Sequence, residues 1–203
     1  MKIIFVWIQW SWKWTQWKIL SDKYWFEIFE TGWALRTLAK EESELGNKIR
    51  DTINAWKLVD IDTIWDIIKD FLNKNSIDSN IIFDWIPRSK EQKDLMDILI
   101  SDFKVVLFDL PKEEVTKRLL WRMYNPKTGQ TFMSWTLVDP VTWDNLEQRK
   151  DDNEEAIKQR IETFFEETLP VVEEFEIEWK LIKINANQSI EEVSNELINK
   201  LGL

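Results

Sequence analysis

The chain has 203 residues, enough for one sizeable core with inserted subdomains and short of two ordinary domains. Its 37 acids against 27 bases give a net charge of −10, which argues against binding nucleic acid or an anionic membrane through overall charge. There is no Cys and no His, which excludes disulfides, thiolate or imidazole metal sites, Cys nucleophiles and Ser-His-Asp chemistry. Any reaction must use carboxylates, Lys, Arg, hydroxyls, backbone amides or an oxygen-held metal.

In chain order, Lys2–Val6 is a short β-branched run, as expected of a strand buried on both faces. With one Lys and no small-residue cleavage site it reads as a strand rather than a signal peptide, and a cytoplasmic location is expected. A helix follows residues 7–15 and runs to about Tyr24. Glu27–Glu30 is a second short strand, followed by helices at about 32–41, 44–55 and 61–73. Asn80–Asp84 is a third strand ending on a carboxylate. A helix at 89–101 leads to a fourth strand, Lys104–Asp109. Pro111 suits the first turn of a helix to about Arg122. Residues 123–148 are polar and turn-rich, a loop or small β insertion long enough to act as a lid. A charged helix spans about Lys150–Glu167, and Pro170 breaks it. Lys180–Ile184 is a fifth strand. Ser189-Ile190-Glu191-Glu192 has capping-box spacing and opens the last helix. Buried strands alternating with helices predict an α/β fold whose parallel sheet is covered on both faces.

The composition holds one anomaly, 14 Trp against 4 Gly. Ordinary chains carry about 7% Gly. Here Trp takes that share (14 of 203), and Gly about 2% (4 of 203). Trp7, Trp10, Trp12 and Trp14 crowd one strand-to-helix turn. Trp56, Trp85, Trp143 and Trp179 stand at element ends or in polar turns, where glycine solves a backbone problem. Trp65 differs, because it lies on an apolar helix face and reads as a true Trp. A platform of stacked indoles for sugars or bases needs rings spread over one exposed face, and four within eight residues do not give that.

With Gly in place of Trp, residues 7–15 read G-I-Q-G-S-G-K-G-T between a strand and a helix, the setting of a phosphate-binding loop. This stretch resembles that of the nucleoside monophosphate kinases, the adenylate kinases in particular. Further motifs follow in order over the whole chain. Thr31-Gly32-Trp33-Ala34-Leu35-Arg36 resembles T-G-x-x-x-R, and Trp56-Lys57-Leu58-Val59 resembles G-K-L-V. Asp84-Trp85-Ile86-Pro87-Arg88 resembles D-G-I-P-R, with Gln92 at the adenine-reading position. Arg118-Leu119-Leu120-Trp121-Arg122 resembles R-x-x-G-R. Arg149-Lys150-Asp151-Asp152 resembles R-x-D-D, with Arg160 on the next helix. Of the seven Arg, only Arg50 matches no motif.

The resemblance implies a three-layer α/β/α P-loop NTPase fold with a five-stranded parallel sheet. Residues 1–29, 60–122 and 154–203 would form the core, 30–59 an AMP-binding flap and 123–153 an ATP lid. It implies the reaction MgATP + AMP ⇌ MgADP + ADP. Trp10, Ser11, Trp12, Lys13, Trp14, Thr15, Arg118 and Arg122 would bind ATP. Thr31, Arg36, Lys57, Leu58, Val59, Trp85, Arg88, Gln92, Arg149 and Arg160 would bind AMP. Lys13, Asp84, Arg88, Arg122, Arg149 and Arg160 would serve catalysis. Mg²⁺ would come with ATP, held by nucleotide and water with Asp84 behind the water and no direct protein ligand. No zinc is expected, since the lid lacks a Cys cluster. ATP, AMP and ADP are the implied partners, with no nucleic acid and no membrane, and a monomer is expected. A kinase for UMP or CMP is the alternative acceptor reading. A Trp-rich binding protein without activity is the alternative should the indoles be real.

Trp occupies family Gly positions at 7, 10, 12, 14, 25, 56, 85, 121, 143 and 179, with Trp17, Trp33 and Trp135 at less strict ones. A codon rule explains this. A gene reading UGA as glycine, translated with UGA as tryptophan, would give this sequence, with Gly32, Gly46, Gly129 and Gly202 expected on other glycine codons and Trp65 on UGG. The abundance of Lys (20) and Ile (24) over Arg (7) and Ala (5) fits an AT-rich gene. A chain made with indoles at 10, 12 and 14 is expected to bind ATP negligibly and fold poorly, since they fill the phosphate cradle.

Overall fold

The computed structural model describes residues 1–7, 13–55, 57–76, 79–84, 86–100, 102–128, 130–133, 136–148 and 153–203, with the backbone alone described at 7, 13, 14 and 133. The core elements in order are β1 (Lys2–Trp7), α1 (Lys13–Tyr24), β2 (Phe26–Glu30), α2 (Thr31–Leu38), α3 (Glu44–Asn54), α4 (Ile61–Lys74), β3 (Asn80–Asp84), α5 (Lys90–Leu99), β4 (Lys104–Asp109) and α6 (Lys112–Leu120). The short strands β5 (Arg122–Tyr124) and β6 (Thr131–Met133) come next. Then follow α7 (Glu154–Thr163), a π-helical turn (Phe164–Thr168), α8 (Leu169–Ile177), β7 (Leu181–Asn185) and α9 (Ile190–Leu201).

Five strands form a wholly parallel sheet in the order β2-β3-β1-β4-β7. Side chains alternate across it, as the two-residue period of a strand requires. Ile3 and Phe5 of β1 join Phe26, Ile82, Val106, Phe108 and Ile184 under α1, α6, α7 and α9. Ile4 and Val6 point the other way, with Phe29, Ile81, Phe83, Val105 and Leu107, under α3, α4, α5 and α8. Both faces are therefore dry, and the α/β/α fold class stands as expected.

Caps fix the helix starts. Ser43, Asp60, Ser89, Asn153 and Ser189 each accept a backbone N–H three residues on, and Ser189 with Glu192 completes a capping box. Between α2 and α3 the chain doubles back tightly. A Cβ at Gly46 would lie 2.4 Å from the Glu41 carbonyl oxygen, so only glycine fits there.

Three expectations need correction. Pro111 is the N-cap of α6 rather than a residue of its first turn, and that helix ends at Leu120, leaving Arg122 on β5. The charged helix does not stop before Pro170. The π-helical turn runs directly into α8, with the Leu169 N–H on the Phe164 carbonyl, and Pro170, which has no N–H to continue the ladder, sits at their junction. The stretch 149–152, expected to open that helix, lies outside the described residues, and α7 begins at Glu154.

The insertion between β5 and α7 closes on itself. β5 pairs antiparallel with β6, and isolated bridges join Tyr124 to Glu147 and Val138 to Asn145. The fully buried Asn125 holds it. Its Nδ2 donates to Asp139 Oδ2 (2.8 Å) and Thr142 Oγ1 (3.0 Å), and its Oδ1 accepts from the Lys127 N–H (2.9 Å). The bond from Asn125 Nδ2, with the N–H groups of Val141 and Thr142, holds the Asp139 carboxyl below its usual range against burial.

Candidate active site

The connection leaving β1 runs to the β2 edge, and that leaving its neighbour β4 runs to the β7 edge. The carboxyl end of β1 is therefore a topological switch point, where ligands bind in open α/β sheets. The loop after it, residues 8–12, holds Trp10, Ser11 and Trp12 and lies outside the described residues. So do Trp85 and Arg149. Lys13 and Trp14 are the first two residues of α1, and Thr15 follows half-buried. The backbone thus puts Lys13 at a helix N-terminus beside the switch point, where the helix dipole favours an anion.

Most of the other assigned residues gather at the same end of the sheet. Asp84, the last residue of β3, is fully buried and in register with Phe5 of β1 and Glu30 of β2. Thr31, buried at the start of α2, donates its hydroxyl to the Asp84 carbonyl at 2.9 Å. Arg36, one turn on, donates Nη2 to Glu30 Oε1 at 3.0 Å. Its guanidinium lies over Gly32, where a Cβ would come within 2.9 Å of Nη1.

Arg88 is held by its backbone from two sides. Its N–H donates to Oε1 of the buried Gln92 at 2.8 Å, and its carbonyl accepts from the hydroxyl of the buried Thr168 at 3.3 Å. The cis Ile86–Pro87 bond precedes it, and Ser89 caps α5 directly after it. Burial pulls the Arg88 pKa down to about 10. Glu167 opposes that shift and Arg160 adds to it. Arg88 stays cationic at neutral pH, with a second guanidinium close enough to be felt. Two cations within reach of each other's field suit a polyanion.

On the far side, Arg118 is buried, and its Nη1 donates to the Ala186 carbonyl in the loop after β7 at 3.4 Å. Burial lowers its pKa while Glu114 opposes. Arg122 is buried on β5. Lys57 is exposed, Leu58 half-buried, and Val59 belongs to the core. Arg50, which matched no motif, ties α3 to the end of α2 through the Ala39 carbonyl at 2.7 Å.

Sequence reasoning missed Thr168, Glu30 and Glu167. Thr168 alone left a trace, as a hydroxyl two residues before a proline within a helical run. An open depression of about 490 Å³ lies along α6, lined by Lys112, Glu113, Thr116, Lys117, Leu120 and Trp121, and it contains none of the assigned residues. Among the described residues no cluster of three or more acids could hold a metal ion directly, and no helix is long and apolar enough to cross a membrane.

The adenylate kinase family model matches residues 10–180, most of the chain. The chain belongs to the adenylate kinase family. The adenylate kinase of Alkaliphilus oremlandii is 31% identical over 200 residues, covering 93% of this chain and 92% of its own. That of Francisella tularensis subsp. novicida is 29% identical over 217 residues, covering all of this chain and 99% of its own. Adenylate kinase 2 of Schistosoma mansoni is 29% identical over 198 residues, covering 92% and 83%. Membership makes the chain a nucleotide-binding phosphotransferase, and its five-stranded parallel sheet fits that family's fold.

Proposed function

We propose that the chain catalyses MgATP + AMP ⇌ MgADP + ADP, with the AMP phosphate on Arg36 and Arg88 and the transferring phosphoryl among Lys13, Arg122, Arg149 and Arg160. The observation that carries this reading is Arg88, held by its backbone from two sides just past the carboxyl end of β3. Phosphoryl transfer needs little covalent help from a protein. It needs cations and amides positioned where charge builds on the transferring oxygens, so a chain without His or Cys is well suited to it.

On the donor side, the N–H groups of residues 10–15 would cradle the ATP phosphates, with Lys13 reaching the β- and γ-phosphates and Arg118 near the base. The cradle requires backbone with no side chain in the way at 10, 12 and 14. On the acceptor side, Lys57, Leu58, Val59 and residue 85 would line the AMP pocket with Thr31 and Gln92. The Gln92 amide offers a donor and an acceptor side by side, the pair that adenine's amino group and ring nitrogen complement. Mg²⁺ would be bound by phosphate oxygens and water, and a lone buried carboxylate at a strand end, Asp84, fits the role of orienting that water. The ion supplies charge neutralisation on the phosphates. Residues 30–59 and 123–153 would close over the nucleotides and exclude water. The chain would act as a cytoplasmic monomer.

An acceptor panel of AMP, UMP and CMP with ATP as donor tests the assignment, using protein that carries glycine at the ten family positions. AMP is expected to lead. UMP or CMP outpacing it would overturn the reading of Thr31 and Gln92.

A further inference from the structure

Among the described residues only four have a positive φ. One is Gly202, at 75°. The others are Trp25 (59°), Trp143 (60°) and Trp179 (60°). Not one Asn or Asp shares the left-handed region, although these tolerate it best after glycine. Each described position with a left-handed backbone is filled by Gly or by Trp.

Two helix ends make the equivalence concrete. At the end of α9, the Gly202 N–H donates to the Asn199 carbonyl (3.2 Å) and the Leu203 N–H to the Ile198 carbonyl (3.1 Å). At the end of α8, the Trp179 N–H donates to the Glu176 carbonyl (3.1 Å) and the Lys180 N–H to the Phe175 carbonyl (3.0 Å). The offsets are the same, three and five residues. Both ends are Schellman motifs, whose left-handed residue is usually glycine. Trp25 ends α1 in the simpler left-handed motif, its N–H on the Ser21 carbonyl at 3.1 Å. Trp143 closes the lid turn onto the Asp139 carbonyl at 2.9 Å.

Packing gives no reason for an indole at these places. Trp179 is 95% exposed, Trp25 84% and Trp143 80%. Trp65 is the contrast. It lies on right-handed α4, packs against the core and carries the Lys69 ammonium 5.9 Å from its ring. The backbone does not ask for glycine at Trp121 (φ −105°), nor within helices at Trp17 and Trp33, and the inference does not rest on them.

We propose that the translation machinery that makes this protein inserts glycine at 25, 143 and 179 and tryptophan at 65, through a glycine-charged transfer RNA that reads UGA. The same codon at 7, 10, 12 and 14 would give glycine there. The inference rests on backbone geometry at 25, 143 and 179, away from the catalytic residues; peptide masses test it, and turnover by the glycine form tests the phosphotransfer reading separately.

The test is peptide mass analysis of the protein purified from its own cells. After trypsin, Ile161–Lys180 holds residue 179 as its single Trp position, and Leu58–Lys69 holds residue 65. The first peptide is expected at its glycine mass and the second at its tryptophan mass. Tryptophan at 179, or glycine at 65, overturns the proposal.

Discussion

Consider a chain with glycine at the ten family positions, compared with the same chain carrying tryptophan at 179 alone. Holding a non-glycine residue in the left-handed region costs roughly 1–2 kcal/mol. Glycine offsets part of this because it loses more freedom on folding, by about 0.5–1 kcal/mol. At 95% exposure the indole contributes almost no burial to either chain. The glycine chain should therefore be more stable by ~0.5–1 kcal/mol, a rise in Tm of about 1–4 °C for a domain of this length. Trp25 and Trp179 precede β2 and β7, the two edges of a five-stranded sheet. Four strand spacings separate them, about 19 Å, so their effects should add. Differential scanning calorimetry of single and double variants measures this. Gly202→Trp is the mirror experiment, because a Cβ there meets nothing within 4 Å and only its φ of 75° resists. It should lower Tm by a similar amount. A Tm that falls on moving from Trp179 to glycine would refute the backbone reasoning.

Arg88→Lys keeps the charge but loses the planar fork, and should cut kcat/KM for AMP by about 10²–10³, the usual loss when one transition-state donor is removed; the check is initial rates with AMP varied at saturating ATP. Thr168→Val leaves the Arg88 carbonyl short of its donor and should cost about 1–2 kcal/mol of stability, with a several-fold rise in KM for AMP at little change in kcat. Thr168→Ser should restore both, and failure of that rescue would show that Thr168 does not act through its hydroxyl. The third prediction concerns pH. The buried Lys93 donates to Asp97 (2.8 Å) and lies 2.6 Å from Glu178, with Lys180 bridging the same two acids. Burial alone would raise both carboxyls, but the hydrogen bonds from Lys93 and Lys180 outweigh it and hold them low. A lowered carboxylate contributes stability above its unfolded pKa and loses it as pH falls through the folded value. Urea titrations should therefore show Lys93→Met less stable than the parent by about 1–2 kcal/mol at pH 7, a modest figure because both acids are a third exposed. The gap should narrow below about pH 4, and a gap constant with pH would contradict this account.

Strands were the most legible part of the chain. Asn80–Asp84 and Lys104–Asp109 match the expected bounds because each is an apolar run bordered by polar residues and buried on both faces. Helix ends were less legible. Nothing local to Pro170 announces the π-helical turn before it. For the site, motifs named the arginines, but what holds them was not readable. Glu30 precedes Arg36 by six residues, and Thr168 is 80 residues from Arg88. Such pairings exist only once the sheet has brought the strand ends together. At Trp143 and Trp179 the turn chemistry of the sequence pointed to glycine, and the backbone at both is left-handed, with φ of 60°.

The most direct measurement is ADP formation from ATP and AMP by two forms of the protein, one with glycine at the ten family positions and one as written. The account predicts turnover by the glycine form, lost on Lys13→Ala, and none by the form with indoles at 10, 12 and 14. Equal turnover by both forms, or ADP formation indifferent to Lys13, would contradict it.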